Sequence, residues 1–178
     1  MAPRVVGLDL SVSATGVAWD SGQPDFIGSD REGDARLIDI REAVRIVVGG
    51  CPPGTRGTNR WVDLVVIEDV PPVRANAIAK LGMVHGVVRS MLIEVGVPYA
   101  LVPPASLKKF ATGKGAATKP DMRMALYQRT GDDLRDDNEV DAAWLRLMGL
   151  DALGHPEITL PKGHRAALDK ITWPEEVA

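Results

Sequence analysis

The chain has 178 residues, a net charge of −3, and apolar and charged fractions of 45% and 25%, the balance of one ordinary globular domain large enough to bury a core. No run approaches the ~18 apolar residues of a membrane span, the first residues lack the pattern of a secretory signal, and the single cysteine, Cys51, excludes an internal disulfide or an all-cysteine zinc site. A cytoplasmic protein with no membrane partner is expected, and the slightly acidic total argues against one that coats nucleic acid over its whole surface.

Residues 5–10 read as a buried strand and residues 15–19 as a second, with a turn at Ser21-Gly22 and a short third strand over 25–28. Leu37, Ile40, Val44, Val47 and Val48 recur at helical spacing, so 34–48 is expected to be an amphipathic helix. The stretch "GGCPPGTRGTNR" breaks it as a loop in which Arg56 and Arg60 are expected to be solvated. Residues 64–67 form a second continuous apolar run, which ends in Glu68-Asp69 and is stopped by Pro71-Pro72.

A long helix follows over Ala75–Val95. Ile78, Leu81, His85, Val88, Leu92 and Val95 mark one apolar stripe and Ala77, Val84, Val87 and Met91 a neighbouring one. Gly82 and Gly86 permit close backbone approach at a cost in helix propensity, and such a wide face suits a homodimer. His85 lies on the stripe and is expected to be a satisfied interior histidine without a catalytic role. A short strand over Tyr99–Val102, a short helix over 105–111, a Gly/Lys loop over 112–118, and a helix over 120–129 begun by proline and ended by Gly131 complete the middle of the chain. Asp136, three residues before Glu139, has capping-box spacing and opens a last strong helix with Val140, Ala143, Trp144, Leu147 and Met148 on one face. After Leu150 the pattern dissolves, and an appendage with a short helix near 165–171 is expected. The order of elements gives an α/β class: a mixed β-sheet flanked by α-helices.

"VVGLD" and "LVVIE" share one pattern, four apolar or small residues and then an acid. If these strands are parallel neighbours, Asp9 and Glu68 lie side by side at one end of the sheet, about 5 Å apart. Two buried carboxylates at that distance either share a proton or bind a cation. Asp141 borders the apolar face of the last helix and is aimed at the same margin, with Asp137 and Asn138 on the same flank. Hard oxygen donors without clustered Cys or His favour Mg²⁺, with Mn²⁺ as a substitute, over zinc, and such ions serve phosphodiester cleavage. Taken singly, Asp9 fits a turn with Ser11 and Ser13, Glu68 a strand cap, and Asp141 a surface charge; together they point to a metal site. Asp69, next to Glu68, points to the opposite sheet face and is expected to be solvated.

The segment from Val102 to Arg129 carries Lys108, Lys109, Lys114, Lys119, Arg123 and Arg129 against Asp121 alone. Lysines around Gly113 and Gly115 suit phosphate-backbone contacts that give affinity without sequence readout. The spacing of "GKGAATK" is not that of a nucleotide-binding P-loop.

In this order the segments resemble the RuvC-type Holliday junction resolvases of the RNase H-like superfamily. "GLDLSVSATGVA" is similar to their opening motif, "VVIEDV" to their second acidic strand, "AIAKLGMVHGVV" to their long helix, "SLKKFATGKGAATK" to their basic segment and "DDNEVDAAWL" to their last acidic helix. The resemblance implies an RNase H-like nuclease domain over residues 1–150 with a C-terminal extension over 151–178, in a compact form similar to phage or prophage resolvases. It also implies a homodimer through the long helix and cleavage of four-way junctions or related branched DNA by two-metal-ion phosphodiester hydrolysis. By the same likeness Asp9, Glu68 and Asp141 correspond to the metal-binding catalytic acids, with Asn138 where the family commonly has Asp or His. Lys108 and Lys119, with Lys109, Lys114 and Arg123 nearby, correspond to the DNA-facing basic residues. Pro71-Pro72 replaces the bulky residue often found after the second acid. A non-catalytic branched-DNA-binding protein is the alternative. An actin-like ATPase shares the first motif but needs two such lobes, for which this chain is too short.

Overall fold

The computed structural model describes residues 2–19, 25–49, 62–70 and 75–175. The Ser21-Gly22 turn, the segment with Cys51, Arg56 and Arg60, and Pro71-Pro72 lie outside the described residues. The strands are β1 (Val5–Asp9), β2 (Thr15–Ala18), β3 (Asp25–Ile27), β4 (Leu64–Glu68) and β5 (Tyr99–Val102). The helices are α1 (Arg36–Val47), α2 (Ala75–Val95), α3 (Pro104–Thr112), α4 (Lys119–Thr130), α5 (Asp137–Ala152) and α6 (Lys162–Arg165).

One five-stranded sheet runs in the order β3-β2-β1-β4-β5. The three strands at the β3 edge are antiparallel, whereas β1, β4 and β5 are parallel. The mixed sheet flanked by helices is therefore as expected. The parallel strands are apolar on both faces because helices cover both. Val6, Leu8, Val65 and Ile67 pack into one core with α1 and α2. The alternate residues Val5, Leu64, Val66, Ala100 and Val102 pack into the other with α3, α4 and α5.

On α2 the buried arc is made of Val84, His85, Val88, Met91 and Leu92. It lies between the two expected stripes, and Ile78, the first residue of the expected stripe, is 40% exposed. The segment expected to trail as an appendage instead contributes Leu160, Ala167 and Ile171 to the core beneath α3 and α5. Its helix is shorter and earlier than expected, with a 3-10 turn over Leu168–Lys170 after it. Among the described residues, no helix is long and apolar enough to cross a membrane.

Candidate active site

The register of the sheet brings the first two acids together. Leu8 pairs with Ile67 across the parallel β1/β4 ladder, so the next residues, Asp9 and Glu68, stand beside each other where both strands end. Each falls on the alternation that faces α5, the period of two that a strand imposes on side-chain direction.

Two glycines let α5 reach them. A Cβ on Gly7 would lie 2.0 Å from the Ala142 carbonyl oxygen and 2.6 Å from the Arg146 nitrogen, and one on Gly16 would lie 2.1 Å from the Asn138 carbonyl oxygen. Any larger residue would push the helix off the sheet. Gly16 is also the antiparallel partner of Asp9, so the helix backbone descends at the acid itself. Asp136 starts that helix by accepting the backbone N–H groups of Asn138 (2.8 Å) and Glu139 (3.3 Å), an N-cap that fixes where the first turns point.

Asp141 then meets the other two acids: one carboxylate oxygen from each of Asp9, Glu68 and Asp141 lies within 4.8 Å of the others. All three are half-buried. Burial is the main cause that raises Asp9 to about 7, with the charge of Asp141 next. Burial also raises Glu68 to about 8, reinforced by the charge of Asp9, and Asp141 to about 6, where Lys119 offsets part of the cost. A side-chain hydrogen bond between Asp9 and Glu68 lowers the first and raises the second. Three carboxylates so placed cannot all stay ionised without a cation, and the all-oxygen donor set fits a hard divalent ion.

The simpler role for Asp9 is taken by another residue. Thr15 closes the turn after β1, its Oγ1 donating to the Ser11 carbonyl (2.8 Å) and accepting the Ser11 N–H (3.1 Å). Asn138 ties the same turn to α5 by donating its Nδ2 to the Ala14 carbonyl (2.9 Å). Asp137 is held by Lys119, Nζ to Oδ2 at 2.7 Å, and is not one of the three clustered acids.

Lys119 and Lys108 border the cluster. The charge of Lys119 acts on Asp9 and Asp141, and that of Lys108 on Glu68 and Asp141. Lys109 is half-buried on α3 and Lys114 exposed in the loop after it, while Arg123 pairs with Asp133 at 2.6 Å. On the opposite sheet face Asp69 is half-buried rather than solvated, accepting the Val70 N–H at 2.8 Å and acting on His85. His85 is 3% exposed, and among the described residues its Nδ1 has no hydrogen-bond partner, so the expected interior histidine is present with one ring nitrogen unpaired there. Burial lowers its pKa and favours the neutral ring.

The glycine contacts at Gly7 and Gly16 and the Lys119–Asp137 pair were not read from the sequence. The spacing of the glycines opposite a helix with its own small face, Ala142 and Ala143, is the signal that could have found them.

No family model matches the chain. Over 92 residues it is 32% identical to the crossover junction endodeoxyribonuclease RuvC of Sorangium cellulosum (strain So ce56); the match takes in 52% of this chain and 47% of that protein. The chain thus spans about half the length of the curated relative it matches. Among solved structures, that of T. thermophilus RuvC in complex with Holliday junction substrate superposes with a TM-score of 0.69 at 20% identity, covering 88% of this chain and 99% of the other. A Thermus thermophilus RuvC structure gives a TM-score of 0.65 at 18% identity, covering 96% and 99%. The fold is that of RuvC, as the resemblance read from the motifs implies.

Proposed function

We propose that this chain is a divalent-metal-dependent, structure-selective endodeoxyribonuclease that cleaves four-way junctions or related branched DNA, acting in the cytoplasm as a two-fold homodimer. The observation that carries this reading is the convergence of Asp9, Glu68 and Asp141 from three separate elements on one desolvated spot, bordered by Lys108 and Lys119. The similarity to RuvC in sequence and fold supports it. The machinery so assigned lies within residues 1–150.

Asp9, Glu68 and Asp141 would hold the cation, Mg²⁺ or Mn²⁺, with the side-chain oxygen of Asn138 one turn before Asp141 as a further donor. When bound, the metal supplies activation of water and charge stabilisation at the scissile phosphate. Glu68 must release its proton to become a ligand, which Lys108 favours. Lys119 sits between Asp137 and the cluster and draws a phosphate toward the acids without leaving its own partner. Lys108, Lys109, Lys114, Lys119 and Arg123 form the basic side of the site and contact the DNA backbone, giving affinity and salt dependence but no sequence readout.

The outer face of α2 supports the dimer. Ala79, Gly82, Met83, Gly86, Ser90 and Ile93 are exposed along it, and a Cβ on either glycine would meet nothing within 4 Å in the single chain. A small-residue strip edged by Met83 and Ile93 suits a second copy of the same helix. A two-fold pair places two equivalent sites against a junction of like symmetry.

The test is cleavage of a labelled four-way junction, a flap and a linear duplex with Mg²⁺, with Mn²⁺ and with EDTA. Paired nicks at the junction only when metal is present are expected. Tight junction binding without cleavage in either metal would replace the nuclease reading with that of a binding protein.

A further inference from the structure

The C-terminal segment is tied to α5 and to the end of α3, just before the basic loop, by two polar contacts that the proposed chemistry does not use. Arg165 reaches both carboxylate oxygens of Asp151 at 2.7–3.0 Å, and the Asp151 side chain is 3% exposed. A buried carboxylate on α5 thus pins α6. His164 makes the second tie: its Nδ1 lies 3.0 Å from the carbonyl oxygen of Phe110, which can only accept, so Nδ1 carries the proton.

Phe110 belongs to the last turn of α3, and the helix ends at Gly113 with φ of 81°. A Cβ on Gly113 would stand 2.7 Å from His164 Nε2, so the imidazole lies directly against the cap. Lys114 follows at once. Its N–H donates to Thr112 Oγ1 (3.2 Å), whose hydroxyl donates to the Lys108 carbonyl (2.8 Å). The loop ends at Thr118, which forms a capping box with Asp121 and starts α4 with Lys119 at its first position. Behind the loop a cavity of about 240 Å³, lined in part by Lys114, Gln128, Arg129 and His164, separates it from α4. With open space there, the His164 ring adds to the hydrogen bonds of Thr112 in steadying the start of the loop.

We propose that His164 is a positioning residue for DNA binding: it holds the α3 cap so that the loop over 112–118 presents Lys114 and Lys119 to phosphates, making the C-terminal segment part of the DNA-binding apparatus. The proposal rests on the reading of that loop as a DNA contact. A loop released from the ring must be ordered when DNA arrives, and that ordering is subtracted from affinity, whereas the acids at the β1 and β4 ends are untouched.

Binding and cleavage of a four-way junction by His164→Ala, His164→Asn and Lys114→Ala test it. The alanine variant is expected to weaken junction binding and raise KM about five- to tenfold, with kcat at saturating DNA within about twofold. His164→Asn, which keeps a donor near the Nδ1 position, is expected to restore most of the affinity. The double variant with Lys114→Ala should lose less than the sum of the two single losses, because the ring acts through the lysines. If His164→Ala binds as tightly as the parent while Lys114→Ala is weakened, the proposal is overturned and the DNA reading of the loop stands. If Lys114→Ala and Lys119→Ala also bind normally, that reading fails first. Should the alanine variant melt more than a few degrees lower, His164→Leu keeps the volume without the donor, and equal affinity of the Leu and Asn variants overturns the proposal.

Discussion

Glu68 and Asp69 are neighbours in sequence and point to opposite faces of one sheet, and the two faces have made different things of an acid. On the α5 side, glycines at positions 7 and 16 admit a helix backbone to contact distance, and three carboxyl groups are left with little water and each other's charge. On the α2 side the acid has a backbone N–H from Val70 and a neutral, buried His85 as company, and among the described residues no cluster of acids forms there. Proximity of charges therefore depends on how closely the covering helix sits, which the small residues of the strand decide. An acid at a strand end becomes a site only where another element brings its own acid down to meet it.

The comparison breaks most clearly by mutation of one acid from each face. Asp9→Asn is expected to reduce junction nicking by at least about a hundredfold, the scale of losing a preorganised electrostatic contact with the transition state, while junction binding persists. Asp69→Asn should nick within about twofold of the parent; equal rates for the two variants in a single-turnover assay would remove the distinction. Next in size is the helix approach itself. Gly16→Ala forces a Cβ onto the Asn138 backbone and is expected to cost ~3 kcal/mol by denaturant unfolding. On the other face, Gly82→Ala meets open space and should stabilise the monomer by up to about 1 kcal/mol through helix propensity, while sedimentation shows weaker self-association.

Acidity sharpens the contrast further. Asp9, Glu68 and Asp141 stand near 7, 8 and 6 when folded, against ordinary values of 3.8, 4.5 and 3.8. Raised values mean that the folded state holds its protons more tightly than the unfolded one, so their contribution is full below about pH 4 and is lost as pH rises through 6 to 8. Metal-free protein should melt progressively lower from pH 5 to pH 8, and saturating Mg²⁺ should flatten the profile by neutralising the carboxylates. A thermal melt series in EDTA that is level across this range would contradict the shared desolvation of the three groups.

Much of this was readable from residue order. The repeated pattern of four apolar residues and an acid in "VVGLD" and "LVVIE" carries register as well as strand identity, because parallel pairing of equal runs aligns their ends. Helix limits followed from proline, glycine and Asp136. The phase of α2 was harder, since apolar residues surround most of that helix and only the sheet beneath it picks out Val84 and Met91 as core. The closeness of α5 was hidden for a related reason: a glycine in a strand is the same letter whether it faces solvent, a bulge or a helix backbone. The C-terminal segment defeated periodicity altogether. Leu160, Ala167 and Ile171 are buried through a four-residue helix and a 3-10 turn, with no repeat along which to read a face.

That burial separates two boundaries that are easily taken for one. The recognisable motifs stop near Leu150, yet Leu107, Phe110 and Ala111 are roofed by residues beyond it, and Asp151 depends on Arg165 for its counter-charge. A version trimmed to the motifs would bare an apolar floor directly under the lysine-bearing helix and leave an interior anion without its mate. A shortened or fused form of this protein thus has to keep Trp173, which still packs against that core, rather than stop at the point where family likeness fades.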